Sequence, residues 1–236
     1  MKRLIAGNWK MHGLKAAMAE IEALSGKLTP ADLEKSDVLI CPPATLLMGL
    51  GEQAHNGVAL GGQNCHQEEM GAYTGDISAE MLAEAGASYC IVGHSERRAK
   101  HGEHDALVRQ KADACHRAGI TPIICVGESF TDRAQGKAVK VVTSQLWASL
   151  PEDHSQVVVA YEPVWAVGSG AIPTLDDIGE VHAALREVAG QNARILYGGS
   201  VKPSNAAQIL SVPNVHGVLV GGASLKAEEF YGIISA

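Results

Sequence analysis

Short apolar runs recur along the whole chain, at Arg3–Ala6, Val38–Cys41, Ala59–Gly62, Tyr89–Val92, Pro122–Val126, Val157–Tyr161, Arg194–Tyr197 and Gly217–Val220. Several hold almost no polar position, as in VLIC, YCIV, VVVAY and GVLV. Strict alternation is missing, so these read as strands covered on both faces, the pattern of a parallel sheet. Helical stretches lie between them. Leu175, Ile178, Val181, Leu185 and Val188 recur at three-to-four spacing within Thr174–Val188, and Thr174 with Asp177 can form a capping box. Glu103–Ala118 and Lys137–Leu150 follow the same rule and end near a Gly or Pro stop.

Eight strands alternating with helices imply consecutive right-handed βαβ crossovers. An open doubly wound sheet would favour a GxGxxG turn after the first strand, where this chain has GNWKMHG. Eight units in 236 residues predict a closed (β/α)8 barrel of the TIM type, α/β in class, eight parallel strands with outer helices. No linker-like tract interrupts it, so 1–236 is expected to be one barrel domain.

Composition narrows the function classes. The net charge of −7 argues against nucleic-acid and anionic-membrane partners, which need clustered Lys and Arg. No apolar run reaches the roughly 20 residues that span a bilayer, and MKRLIAGNWK lacks a signal-peptide core, so a cytoplasmic protein is expected. Cys41, Cys65, Cys90, Cys115 and Cys125 form no CxxC pair and no zinc-like cluster with His, and read as small buried thiols. Glycine, at 26 of 236, exceeds the usual share of roughly 7%. Half of these glycines fall at or just after the predicted strand ends, which locates the excess.

In a barrel of this kind the C-terminal strand ends form the active mouth. Asn8-Trp9-Lys10 follows the first strand, Gly93-His94-Ser95-Glu96-Arg97-Arg98 the fourth and Glu162-Pro163-Val164-Trp165 the sixth. Gly198-Gly199-Ser200 follows the seventh and Gly221-Gly222 the eighth. Paired glycines there let backbone N–H groups approach an anion, and the loops after strands seven and eight are where barrels commonly hold phosphate. Each pair could also be a plain tight turn. Glu162, at the end of an apolar strand, suits a general base whose carboxyl is raised by partial desolvation. His94 precedes a segment that can start a helix, whose amides favour a neutral ring. Lys10 is a candidate cation for a developing oxyanion. Residues 163–170, rigid at Pro163 and punctuated by glycine at the far end, suit a lid that excludes water.

Taken together, these segments resemble the triosephosphate isomerase family. The match covers GNWKM at 7–11, CPP at 41–43, GQN at 62–64, GHSERR at 93–98, CVGE at 125–128, AYEPVWAVG at 160–168, YGGSV at 197–201 and GGASL at 221–225, in order and along nearly the whole chain. GHSERR and AYEPVWA are highly specific, and they weigh against a different phosphate-binding barrel. Intact Asn8, Lys10, His94 and Glu162 weigh against a silent scaffold.

The resemblance implies interconversion of dihydroxyacetone phosphate and glyceraldehyde 3-phosphate, with no cofactor and no metal. It implies that Glu162 moves the proton, that neutral His94 serves the oxygens and that Lys10 with Asn8 supports the enediolate. Asn8, Lys10, Gly168, Ser200, Gly221 and Gly222 match the substrate and phosphate positions, with Ser95 and Glu96 in support. It also implies a homodimer through the Gln63–Asp76 loop, which carries Thr74. Three places depart from the family pattern: His12 beside Lys10, Ala44 after CPP, and Ala171-Ile172-Pro173 at the far hinge of the lid. Pro173 and β-branched Ile172 are expected to alter closing, with the chemistry unchanged.

Overall fold

The computed structural model describes residues 1–53, 55–166 and 173–236. Eight strands, β1 (Arg3–Asn8), β2 (Ser36–Cys41), β3 (Val58–Gly62), β4 (Ala87–Val92), β5 (Thr121–Val126), β6 (Val158–Tyr161), β7 (Arg194–Tyr197) and β8 (Gly217–Val220), close into a barrel in chain order. Every pairing is parallel, and the ring closes by Leu4 lying opposite Gly217 while Arg3 lies opposite Ser36. The eight predicted runs are the eight strands. Observed bounds differ by at most two residues, and β1 runs on through Gly7 and Asn8, placing Asn8 inside the barrel rim.

The unbroken apolar runs follow from two separate cores. Leu4, Ala6, Leu39, Ile91, Ile123, Val158, Ala160, Leu196 and Leu219 fill the barrel interior. Their strand neighbours, such as Ile5, Ile40, Val92, Ile124 and Val159, pack outward against the helices. Alternate residues therefore face different hydrophobic layers, and neither set meets water.

In chain order the helices are α1 (Met18–Lys27), α2 (Pro30–Lys35), α3 (Ala44–Gly51), α4 (Ala79–Glu84), α5 (Ser95–His101), α6 (Asp105–Arg117), α7 (Phe130–Ala134), α8 (Ala138–Ser149), α9 (Leu175–Ala189), α10 (Pro203–Leu210) and α11 (Ala227–Ile234). Thr174 caps α9 as its sequence suggests: its Oγ1 accepts from Asp177 N, and the Asp177 carboxylate accepts from Thr174 N. At α6 the cap is His104, whose Nδ1 accepts from Leu107 N. Glu103, read from sequence as the helix start, instead turns inward to meet Lys111 and Arg97. No helix among the described residues is long and apolar enough to cross a membrane.

Candidate active site

The C-terminal ends of β1, β4, β6, β7 and β8 surround a cavity of about 650 Å³. Asn8, Lys10, His94, Glu162, Gly198, Gly199, Ser200, Gly221 and Gly222 all line it. These nine strand-end residues thus share one mouth, while Glu96 and Ser95 line two neighbouring cavities instead. Gly168, with Ala171 and Ile172 of the far hinge, lies outside the described residues.

Lys10 reaches this mouth through an unusual backbone. Its φ is +53°, a left-handed conformation that costs a residue with a Cβ about 1 kcal/mol or more. Two neighbours hold it there. Asn8 Oδ1 accepts from Lys10 N at 3.0 Å, and Gln63 Nε2 donates to Lys10 O at 2.8 Å and to Cys41 O at 2.9 Å. Trp9, between them, donates its indole N–H to Ser224 O at 2.9 Å and ties the end of β1 to the segment after β8. The Lys10 ammonium pairs with Glu96 at 2.6 Å. Burial pushes the Glu96 carboxyl up, but the hydrogen bond and charge of Lys10 outweigh it and hold the carboxyl low.

Glu162 is almost solvent-free, its Oε1 lying 2.8 Å from His94 Nε2 and its Oε2 accepting from Ser95 N at 2.9 Å. A Cβ on Gly127 would overlap the Glu162 carbonyl oxygen, so the β5 end needs glycine to let this backbone pass. Burial pushes the Glu162 carboxyl up, yet the facing His94 and the hydrogen bonds from His94 and Ser95 outweigh burial. The carboxyl stands below its ordinary value, against the raised value expected from desolvation alone. The difference has a local cause: in this structure the carboxylate is turned onto two donors, His94 Nε2 and Ser95 N.

His94 caps α5, its Nδ1 accepting from Glu96 N at 3.2 Å. Burial pushes the ring's pKa down, and the charge of Glu162 more than restores it. Protonating Nδ1 would nonetheless set one N–H against another. The hydrogen-bond pattern therefore assigns a neutral ring with its proton on Nε2, donated to Glu162.

The phosphate candidates are arranged differently from one another. A Cβ on Gly222 would meet nothing within 4 Å, and one on Gly221 would meet only Lys10 Cε at 3.7 Å. Packing does not demand glycine at either position, and both face the cavity, which leaves backbone N–H groups approachable by an anion. Ser200 Oγ is engaged, donating to Ala166 O at 3.0 Å. To serve an anion it must release the segment that follows Glu162.

Two buried networks escaped the sequence reading. Glu128 Oε1 accepts from Tyr161 Oη, Trp165 Nε1 and Arg133 Nε, which anchors the chain just after Glu162. Glu103 binds Lys111 and Arg97, and Lys111 also donates to Asn64 Oδ1 at 2.7 Å, fixing the root of the loop that carries Thr74. Glu128 stands in the CVGE segment and Asn64 in GQN, but their partners are distant in sequence and no spacing rule pairs them. Of the departures, His12 is exposed, Ala44 opens α3 at the protein surface, and Pro173 is buried.

The second network makes stability depend on acid. Burial raises the Glu103 carboxyl, but the hydrogen bonds of Lys111 and Arg97 outweigh it, so it titrates below its ordinary value of 4.5. A carboxyl depressed by folding contributes its full stability above that ordinary value, and loses it as pH falls through the folded value. Glu103→Gln is expected to cost about 3 kcal/mol at pH 7, because it leaves Lys111 buried without its counter-ion. Thermal melting of both proteins from pH 7 to pH 3 checks this: the gap in Tm closes at the acid end.

The sequence matches the family described as triosephosphate isomerase over residues 3–236. It is 54% identical over 244 residues to a Bradyrhizobium diazoefficiens protein named triosephosphate isomerase, covering 99% of this chain and 96% of that one. A Rhodopseudomonas palustris protein of the same name is 54% identical over 245 residues, with 99% and 96% covered. The crystal structure of triosephosphate isomerase from Bartonella henselae superposes with a TM-score of 0.90 at 45% identity, covering 99% of this chain and 98% of that one.

Proposed function

Because the chain belongs to the triosephosphate isomerase family, we propose that Glu162, His94, Lys10 and Asn8 divide the work of its reaction among them. That reaction interconverts dihydroxyacetone phosphate and D-glyceraldehyde 3-phosphate, an intramolecular aldose–ketose isomerisation. The observation that carries the assignment is the convergence of these four side chains, with the glycine-rich ends of β7 and β8, on one cavity.

In this reading Glu162 leaves its contacts with His94 and Ser95 and takes a proton from the carbon beside the carbonyl. The electron pair of the broken C–H bond forms the new carbon–carbon double bond as the carbonyl π pair moves onto oxygen, giving an enediolate. His94, neutral and carrying its proton on Nε2, hydrogen-bonds that oxygen and passes a proton between the two oxygens. The Lys10 ammonium, oriented by Asn8, offsets the growing negative charge. Glu162 then returns its proton to the neighbouring carbon, so nothing is oxidised or reduced overall. The amides of Gly221 and Gly222 and the hydroxyl of Ser200 hold the phosphate, with Gly168 of the lid segment added by family pattern. Closure of that segment keeps water from the enediolate, which would otherwise eliminate phosphate. The hydrogen that the product carries after reaction in D2O tests the proton route.

The working form in this reading is a cytoplasmic homodimer of single-domain subunits. A second cavity of about 500 Å³ adjoins the first, lined by Lys10, Met11, Gln63, Asn64, His94 and Glu96. Exposed Met11, Leu14 and Met70 offer apolar surface, and Thr74 is exposed on the Gln63–Asp76 loop. The loop of a second copy, entering this cavity, would cover the apolar residues and press on the catalytic lysine and histidine. Thr74→Arg is expected to shift sedimentation to the monomer and to lower kcat by on the order of 10²-fold, through misplacement of those groups. A dimeric variant with full kcat contradicts this interface.

A further inference from the structure

Away from the mouth, the fold gathers three cysteines that sequence spacing gave no reason to connect. Cys65 lies at the root of the Gln63–Asp76 loop, Cys90 on β4 and Cys115 on α6, all buried, with their sulfurs within 4.8 Å of one another. Cys65 Sγ and Cys115 Sγ are 3.7 Å apart. We propose that Cys65, Cys90 and Cys115 form a trigonal thiolate site for a soft monovalent metal ion of the Cu(I) class.

Geometry favours this occupant. With metal–sulfur bonds of about 2.3 Å, three sulfurs around one ion stand about 4.0 Å apart, close to the spacing already present. Zinc prefers four ligands, and among the described residues no fourth His, Cys, Asp or Glu joins the group. Thiolate donors in a dry pocket select a soft ion. A Cys65–Cys115 disulfide would need the sulfurs to close to about 2.0 Å and an oxidant to reach solvent-free thiols. Lys111 adds positive charge near Cys65, and Glu80 opposes it. Each thiol that joins the metal releases its proton to solvent, with no change of oxidation state.

The test uses reduced, metal-free, full-length protein, mixed without oxygen with Cu(I) held by the coloured chelator bicinchoninate and followed to equilibrium. The protein is expected to withdraw one Cu(I) per chain and to gain an ultraviolet thiolate-to-copper absorption band. Cys115→Ala is expected to bind at least about 100-fold more weakly. Cys41→Ala, a buried thiol outside the cluster, is expected to bind as the wild type does. Cys115→Ala leaves Ala112 and Ala114 on the same helix unchanged, and Cys65→Ala gives the same comparison should that variant misfold. Failure of the wild type to withdraw copper overturns the proposal, and so does equal withdrawal by a folded Cys115→Ala or Cys65→Ala protein.

Discussion

Glu162→Gln is expected to lower kcat by on the order of 10³- to 10⁴-fold while leaving affinity for inorganic phosphate nearly unchanged. The amide has the shape of the carboxylate but cannot accept the substrate's proton. Its single oxygen can accept from Ser95 N or from His94 Nε2 but not from both, so one of the two donors loses its partner at the rim while the barrel around it is unchanged. The proposed anion end of the cavity, at Gly221 and Gly222, is not touched by the change. Steady-state turnover of glyceraldehyde 3-phosphate, paired with a phosphate binding isotherm, separates the two effects. A variant that keeps kcat and loses phosphate affinity would make Glu162 a binding residue.

Lys10→Met carries the second large effect. Removing a preorganised cation from beside a developing oxyanion costs about 3–4 kcal/mol in the barrier, or on the order of 10²- to 10³-fold in kcat/KM. Both kcat and KM are expected to worsen, since the same ammonium attracts the substrate dianion. Stability should hardly move: the Lys10–Glu96 pair is partly exposed, and such pairs contribute about 1 kcal/mol or less. Melting curves with steady-state kinetics give the check. A large fall in Tm would mean that the lysine's main task is structural. The strained φ of Lys10, held by Asn8 and Gln63, is retained for its chemistry in this account, because the ion pair alone does not require it.

The barrel was legible because a parallel strand covered on both faces writes itself as an unbroken apolar run. Val157–Tyr161 and Gly217–Val220 are such runs, and their ends point to Glu162 and Gly221 without any tertiary information. What sequence could not supply was pairing across the barrel. Burial was readable for Glu162, but its charge balance depends on His94 and Ser95, which arrive from β4 and α5. The raised carboxyl expected from burial alone is therefore a lowered one in this geometry. Ser200 was legible as a hydroxyl that could serve an anion, but its hydrogen bond to Ala166 O, which ties it to the segment after Glu162, was not. Cys65, Cys90 and Cys115 show the same limit most plainly, since only the packing of a loop, a strand and a helix brings their sulfurs together.

In the proposed reaction the Glu162 carboxylate carries the substrate's proton between adjacent carbons at this mouth. Running the isomerisation of dihydroxyacetone phosphate in D2O tests it most directly, with the product analysed for deuterium. A proton held on Glu162 can exchange with solvent before delivery, so glyceraldehyde 3-phosphate is expected to carry deuterium at C2. Deuterium entering C2 at an undiminished rate in the Glu162→Gln variant would mean that another group carries the proton, and would contradict the role of Glu162.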